Sequence, residues 1–417
     1  MSSLHDLLSI CLDLDESTLL NINQQDSFNL SSIDSAGNSL LHYLSLEGST
    51  EALELLFRHV NDLSSITSMT NSLGQSPLHL ASASGSLCCV TLLLSHNVPI
   101  DLSDSKGFLP ITYALLANHF DIARLLFNHL PTILYKPFPL LHHVIELGLI
   151  SSLEFLLSLP GVNINCLNDL SQTPLHAAVI SNQSEMIDIL LQRKCVCESF
   201  DQLGIFPLFS AISFGYLDTA LKLLLKCQQS LFLVTNSGYS VLHAISFLDY
   251  ETLNSDTFFK IAALLPLIIQ NYFDAQNDSC GISSFINAVD LENQMSPLLF
   301  SIFCANYTVS CLLLDLFGDL FILDTVCKGN RNIFHLLTDS DHDLKLSLRL
   351  LNILSQKSSD FIFKIFSLHD SLDRTPLMTY FLCGYSDILS LILDFLKNTI
   401  ESENVEVLLE TLKLEHV

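Results

Sequence analysis

The sequence has 417 residues, of which 49% are hydrophobic and 15% charged, and its mean hydropathy is +0.43. These values exclude a disordered chain and predict extensive burial of apolar surface. Because 18 basic residues stand against 44 acidic ones, the formal charge of -26 opposes binding to a nucleic-acid backbone. The same charge favours basic peptides or basic protein surfaces as partners.

The start of the chain and its cysteines indicate a cytoplasmic protein. Residues 1–20 lack a basic n-region and carry acids inside the apolar run, so no secretory signal is expected. The most apolar stretch, Pro297 to Leu314, includes Asn306, Thr308 and Ser310, which favours a buried helix pair over a membrane span. The 12 cysteines include no CxxC pair, and we interpret them as reduced core residues, not as a disulfide or zinc framework.

One pattern recurs along the chain and defines ten copies of a single unit. It is clearest as SPLHLASASG from Ser76 to Gly85 and as TPLHAAVISN from Thr173 to Asn182. Most copies are spaced by roughly 33 residues, so the sequence predicts a repeat array. We number the copies by the residue in the proline slot, the anchor: Leu40, Pro77, Pro110, Leu140, Pro174, Pro207, Val241, Pro297, Ile333 and Pro376.

The slots around each anchor predict a helix, a turn and a second helix. Ser, Thr or Asn precedes the anchor in seven copies and is typical of a helix N-cap, while proline suits the first helical position. The slot after the anchor is apolar in all ten copies and should face the core. Paired leucines such as Leu125/Leu126 mark the second helix. Between the two helices lies a residue that tolerates positive φ: Gly48, Gly85, Asn118, Gly148, Asn182, Gly215 and Gly384.

With these features the chain resembles the ankyrin repeat family, most specifically in copies one to three, five and ten. The resemblance implies an all-α solenoid of stacked helix-turn-helix units with capping helices, and a role in protein recognition. We expect N-terminal capping helices in residues 1–33, the repeat array in residues 34–396 and a C-terminal cap helix in residues 397–417. The long step before the eighth anchor predicts an insertion within about 249–290, with a helix from Phe258 to Gln270 and a protruding loop.

Histidine follows the apolar slot in six copies: His42, His79, His142, His176, His243 and His335. Six residues that are one repeat apart cannot converge on one metal ion, and the resemblance implies that each bonds the backbone of a neighbouring loop. The acidic segment from Asp339 to Asp343 could hold an ion, but it matches no calcium or zinc spacing and also suits a turn whose side chains bond local backbone. With no GxGxxG, GxxxxGK[ST], GxSxG or HExxH motif, we predict no catalysis, no metal and no cofactor.

The binding surface is predicted from two rows of positions, because partners of ankyrin-like proteins meet the hairpin tips and the exposed ends of the first helices. Both rows are apolar in copies three to eight, which predicts a groove that holds a hydrophobic or amphipathic segment and is rimmed by acids. The alternatives are that tightly curled repeats bury these residues, or that another domain covers them. The predicted protein-binding residues are Phe108, Phe138, Ile205, Phe214, Tyr239, Phe247, Leu248, Met295 and Phe303.

The sequence therefore predicts a scaffold or adaptor that binds a partner protein on its concave face and hairpin tips. An alternative is that the chain is the substrate-recruiting region of a larger enzyme such as a ubiquitin ligase. A third reading, a membrane-associated adaptor, rests on hydropathy alone. The identity of the partner and the oligomeric state stay open, since an apolar groove could also be closed by a second copy.

Overall fold

The fold is helical throughout the part of the chain that the structure describes. The computed structural model describes residues 33–59, 67–129, 140–248, 250–253, 255–276, 281–338 and 340–413, and within these ranges it has no β-sheet, only two isolated antiparallel bridges. The predicted all-α repeat fold is confirmed. The predicted capping helices of residues 1–33 lie outside the described residues, apart from position 33.

The chain divides into two compact units, Met1–Cys195 with copies one to five and Val196–Val417 with copies six to ten. The helices of the first unit are α1 (Leu40–Glu47), α2 (Thr50–His59), α3 (Pro77–Ser84), α4 (Leu87–Ser95), α5 (Pro110–Leu116), α6 (Phe120–His129), α7 (Leu140–Glu146), α8 (Ile150–Ser158), α9 (Pro174–Ile180) and α10 (Ser184–Gln192). Those of the second unit are α11 (Pro207–Ser213), α12 (Leu217–Lys226), α13 (Val241–Ala244), α14 (Tyr250–Leu253), α15 (Asp256–Gln276), α16 (Gly281–Ile286), α17 (Pro297–Phe303), α18 (Tyr307–Phe317), α19 (Asp341–Leu354), α20 (Ser359–Ser367), α21 (Pro376–Cys383), α22 (Ser386–Thr399) and α23 (Ser402–Lys413).

First helices stack on first helices, because each carries its apolar residues on the side of its neighbours. In the first unit α1 packs on α3, α3 on α5 and α7 on α9, and in the second unit α11 packs on α13 and α13 on α17. The apolar slot after each anchor is buried in all ten copies. Burying such a side chain stabilises the fold by about 1.5–3 kcal/mol, so the stack rather than any isolated helix holds each copy in place.

The turns between the two helices adopt the predicted left-handed backbone. Gly48 has φ +70° and Gly85 has φ +83°, while Asn118 and Asn182 have φ +59° and +51°. Ala305 occupies the same slot in copy eight with φ +55°, although its side chain is less suited to that conformation. The geometry of the stack therefore overrides residue preference at this position.

Copies seven and nine depart from the regular unit. The first helix of copy seven is only α13 followed by a 3₁₀ turn, Ile245–Phe247, and that of copy nine is a single 3₁₀ turn, Ile333–His335. Between copies seven and eight the long helix α15 exceeds the predicted range of 258–270 at both ends and packs against α12. Residues 277–280 of the predicted protruding loop lie outside the described residues.

Among the described helices, none combines the length and the apolar character that crossing a bilayer requires.

Candidate functional site

Five of the six repeat histidines are held by their own N-cap residue, whereas Nδ1 of His142 is buried without a hydrogen-bond partner among the described residues. The backbone N–H of Ser39 donates to Nδ1 of His42 at 3.2 Å, and that of Ser76 donates to Nδ1 of His79 at 3.0 Å. The same bond occurs at His176, His243 and His335. Because a backbone N–H can only donate, Nδ1 must be unprotonated, and the ring proton therefore resides on Nε2.

The Nε2–H then donates to a carbonyl oxygen in the next hairpin. The bonds join His42 to Gln75 at 2.9 Å, His79 to Phe108 at 3.0 Å, His142 to Gln172 at 2.7 Å, His243 to Met295 at 3.0 Å and His335 to Arg374 at 3.0 Å. These rings are buried, so desolvation lowers the pKa of all five, that of His142 to about 4. The geometry agrees with the structural role that the resemblance implied.

Six of the described hairpins are closed by a carboxylate or amide that sequence reasoning missed. Oδ1 of Asp34 accepts the N–H of Ala36 at 2.9 Å and that of Asn38 at 2.7 Å. Equivalent turns, with an acceptor for residues two and four positions later, form at Asn71, Asp104, Asn168, Asp201 and Asp370. The signal was present in the sequence, because each of these residues stands six positions before its anchor.

Three of the predicted binding residues line one cavity in the second unit. Ile205 comes from the hairpin before α11, Tyr239 from the hairpin before α13, and Phe247 from the 3₁₀ turn that ends the first helix of copy seven. The cavity has a volume of about 520 Å³, within the range of roughly 300–1,000 Å³ typical of ligand pockets. We call this cavity the central groove.

The rest of the groove lining was not predicted. Leu203, Phe209, Ser213, Thr235 and Ser237 complete it. Leu203 stands at a hairpin tip and is 70% exposed. It was missed because only the hairpin position two residues before each anchor was considered, whereas the apolar tip lies four residues before the anchor.

The other predicted residues of the second unit separate into exposed and buried groups. Phe214 and Phe303 end the first helices of copies six and eight and are exposed. Leu248 and Met295 are only 5% and 4% exposed, so they contribute mainly to the core. Leu248 follows the shortened first helix of copy seven. Met295 accepts the Nε2–H of His243 with its backbone oxygen and not with its side chain.

In the first unit Phe108 is half-buried in an aromatic contact. Its ring centroid lies 6.4 Å from that of Tyr113 and 5.5 Å from that of His143, both edge-on. Phe138 lies outside the described residues.

A second cavity, of about 560 Å³, shares Phe247 with the central groove. It is lined by the turns that follow the first helices of copies seven and eight, including Ser246 and Asn306, and by His342. Nδ2 of Asn306 donates to the carbonyls of Ser246 and Leu248 at 3.1 and 2.9 Å, which ties the two turns together. Phe247 therefore separates two recesses, and its ring is 51% exposed.

The acidic segment of copy nine caps its own backbone. Oδ2 of Asp343 accepts the N–H of Thr338 at 2.9 Å, and the hydroxyl of Ser340 accepts the N–H of Asp343 at 3.1 Å. These bonds fit the interpretation as a local turn at the start of α19, although Asp339 itself lies outside the described residues.

The interpretation of the cysteines was wrong for one pair. Cys197 and Cys227 form a disulfide, with their Cα atoms 6.2 Å apart, which joins the start of copy six to the end of its second helix, α12. The pair is 30 residues apart in sequence, close to one repeat, so stacking brings the two positions together. Spacing of neighbouring cysteines, on which the prediction relied, cannot detect such a contact.

These features define a stacked helical repeat protein with an apolar recess on its first-helix side. The model of the family described as "Ankyrin repeats (3 copies)" matches residues 41–134 and 141–251. The chain is an ankyrin repeat protein.

Comparison with individual proteins extends over shorter parts. The chain is 33% identical over 79 residues to the nuclear factor NF-kappa-B p105 subunit of Gallus gallus, which is 19% of this chain and 8% of that protein. It is 30% identical over 104 residues to putative ankyrin repeat protein FPV034 of fowlpox virus, 25% of each chain. The chain thus spans a quarter or less of these curated relatives. The crystal structure of the ankyrin repeat domain of Bcl-3, titled a unique member of the IkappaB protein family, is 19% identical with a TM-score of 0.41, over 65% of this chain and 97% of that one.

Proposed function

We propose that this protein is an adaptor or scaffold that binds a partner protein through the central groove, and that it does not act as an enzyme. The observation that carries the proposal is the convergence of Ile205, Tyr239 and Phe247, from three turns of copies six and seven, on one cavity of about 520 Å³. Exposed aromatic and aliphatic side chains around a recess are typical of the centres of protein interfaces.

The lining supports binding rather than catalysis. Tyr239 is its one ionisable residue, and burial together with Asp290 and Glu292 raises the pKa of this phenol to about 12. A hydroxyl that holds its proton this strongly is a poor general base at neutral pH.

A cytoplasmic location belongs to the same proposal. Free thiols at Cys88, Cys304 and Cys383 on the surface support it, since exposed thiols persist in reducing compartments. The disulfide between Cys197 and Cys227 favours an oxidising compartment instead, so the redox state of this pair in cells tests the proposed location directly.

The test compares partners of the intact chain with those of two single variants. Phe247→Asp places a charge on the groove wall, and Phe259→Asp places the same charge on α15, where the ring is 56% exposed and lies outside the groove lining. We expect quantitative co-isolation mass spectrometry to show partners that are lost with Phe247→Asp and kept with Phe259→Asp. Equal partner lists for all three chains, with equal helicity by circular dichroism, would place recognition elsewhere.

A further inference from the structure

The rim of the central groove carries a carboxylate in a fixed position. Oε1 of Glu292 accepts the hydroxyl of Ser237 at 2.9 Å, and Oε2 accepts the hydroxyl of Tyr239 at 3.2 Å. Both hydroxyls belong to residues that line the groove. The hairpin of copy eight therefore holds its acid over the edge of the recess formed by copies six and seven.

The charge of Glu292 has no counter-ion in the part of the chain that the structure describes. The described ion pairs of the second unit involve Asp315, Asp324, Asp370 and Asp394, and none includes Glu292. Two neutral hydroxyls orient a carboxylate but leave its charge in place, so the site keeps its attraction for a cation.

A second acid lies on the opposite hairpin. Asp201 uses Oδ1 to accept the N–H groups of Leu203 and Ile205 at 2.9 and 2.8 Å, which positions both lining residues. No ion pair to Asp201 is found among the described residues either. The raised pKa of Tyr239, to which Asp290 and Glu292 contribute, is consistent with a negative potential at the groove.

The interior of the groove is complementary to an apolar group and to one hydrogen-bonding group. Leu203, Ile205, Phe209 and Phe247 present apolar surface. The hydroxyl of Ser213 is buried in the lining and has no hydrogen-bond partner within the described ranges. A polypeptide meets both demands, because an apolar side chain can enter the recess while a backbone group bonds the hydroxyl.

We infer that the occupant of the central groove is a short polypeptide segment in which an aliphatic or aromatic side chain is followed or preceded, within a few residues, by a Lys or Arg that pairs with Glu292. This inference rests on the proposed function and specifies the chemistry of its partner. The net charge of -26 speeds the approach of such basic segments at low salt.

The experiment selects peptides on the full chain and then measures two variants. A phage-displayed library of random 12-residue peptides is panned against the immobilised protein, and enriched peptides are synthesised with a fluorophore for polarisation titrations. Glu292→Gln removes the charge but keeps an oxygen acceptor for Ser237 and Tyr239. Glu401→Gln, at an exposed acid outside the groove, is the matched control.

We expect enriched sequences that combine a large apolar residue with Lys or Arg. Glu292→Gln should weaken their binding about three- to tenfold at low salt, with Glu401→Gln unchanged. Replacing the peptide's Lys or Arg by Gln should weaken binding to the intact chain and have no further effect on Glu292→Gln, which identifies the pair.

The outcomes separate the inference from the proposed function. Peptides that bind in a Phe247-dependent manner but without a basic residue, or with unchanged affinity for Glu292→Gln, overturn the inference and leave the groove as a binding site. Peptides insensitive to Phe247→Asp remove the groove from the proposed function as well. Failure to enrich any peptide also overturns the inference, because the groove then takes no short segment.

Discussion

Replacing His243 by alanine should destabilise the second unit strongly. The ring is fully buried, accepts the N–H of Ser240 at 3.1 Å, lies 2.9 Å from the Ser240 hydroxyl and donates to the carbonyl of Met295 at 3.0 Å. The variant leaves the buried N–H of Ser240 without an acceptor, which costs about 1–3 kcal/mol. The Met295 carbonyl keeps the N–H of Asp290 at 3.1 Å and loses only its second bond, which is worth about 0.5–1.5 kcal/mol. We therefore expect a loss of about 2–4 kcal/mol in the free energy of unfolding.

Two measurements check this value. Urea unfolding followed by circular dichroism gives the global loss, and hydrogen exchange reports opening near residues 240 and 295, which matters because repeat arrays need not unfold in one step. His129→Ala is the matched control, because this histidine is exposed and its one bond within the described residues is to its own helix, at the Leu125 carbonyl. An ordinary surface substitution changes the free energy of unfolding by no more than about 0.5 kcal/mol. If the free energy of unfolding of His243→Ala lies within that range of the intact chain, His243 does not stabilise the fold by bridging the two copies.

Three further predictions concern pH, turn geometry and the disulfide. Since folding lowers the pKa of the buried repeat histidines, the unfolded chain binds more protons below pH 6.5, and the free energy of unfolding should fall from pH 6.5 toward pH 4. His142, with a pKa of about 4, contributes about 3 kcal/mol to that fall. A urea midpoint that stays constant over this range would contradict the argument. Gly74 has φ +75°, and a Cβ added there would lie 2.8 Å from a backbone nitrogen of the next hairpin, whereas Gly161 has φ +84° with nothing within 4 Å of such a Cβ. Gly74→Ala should therefore lower stability by more than the roughly 1–2 kcal/mol expected of Gly161→Ala. Equal losses by thermal denaturation would show that the hairpins are not in contact. Cys197 and Cys227 are 30 residues apart, so reduction of their disulfide should lower the free energy of unfolding by about 3–4 kcal/mol, the chain entropy that closing such a loop removes from the unfolded state. Identical urea unfolding curves with and without dithiothreitol would show that the disulfide does not stabilise the fold.

The regular part of the fold follows from local chemistry and was predictable. An N-cap residue, a helix-starting proline, an apolar residue and a histidine stand side by side in the sequence, and the bonds between Ser76 and His79 show that they act within one turn. Positive φ at Gly85 and Asn182 is likewise a property of single residues. Such features repeat with the sequence and need no knowledge of distant contacts.

The irregular features depend on contacts between copies and were not predictable in the same way. The shortened helix of copy nine ends close to the start of α19, where Asp343 binds back to Thr338. Cys197 and Cys227 meet only because one repeat closes between them. The burial of Leu248 and Met295 could not be predicted for the same reason, because a hydropathy pattern does not distinguish an exposed groove wall from a core position.

The binding surface was predicted in part. The rule that places residues two before the anchor found Ile205 and Tyr239, and the rule for helix ends found Phe247. Neither rule considers which hairpin lies over which helix, so Phe209 and the carboxylate of Glu292 were not assigned to the site. Their part in it follows from the stacking of copies six to eight.

The link from histidine to carbonyl bears on how such a chain tolerates mutation. In the five bonds described above the acceptor is a main-chain oxygen, and the residues that supply it are as different as Gln75, Phe108, Met295 and Arg374. Every amino acid offers that oxygen, so the receiving position can change its side chain without losing the bond. Neighbouring copies can therefore diverge in sequence while they remain fastened together, and the surface they present to partners is free to vary from copy to copy.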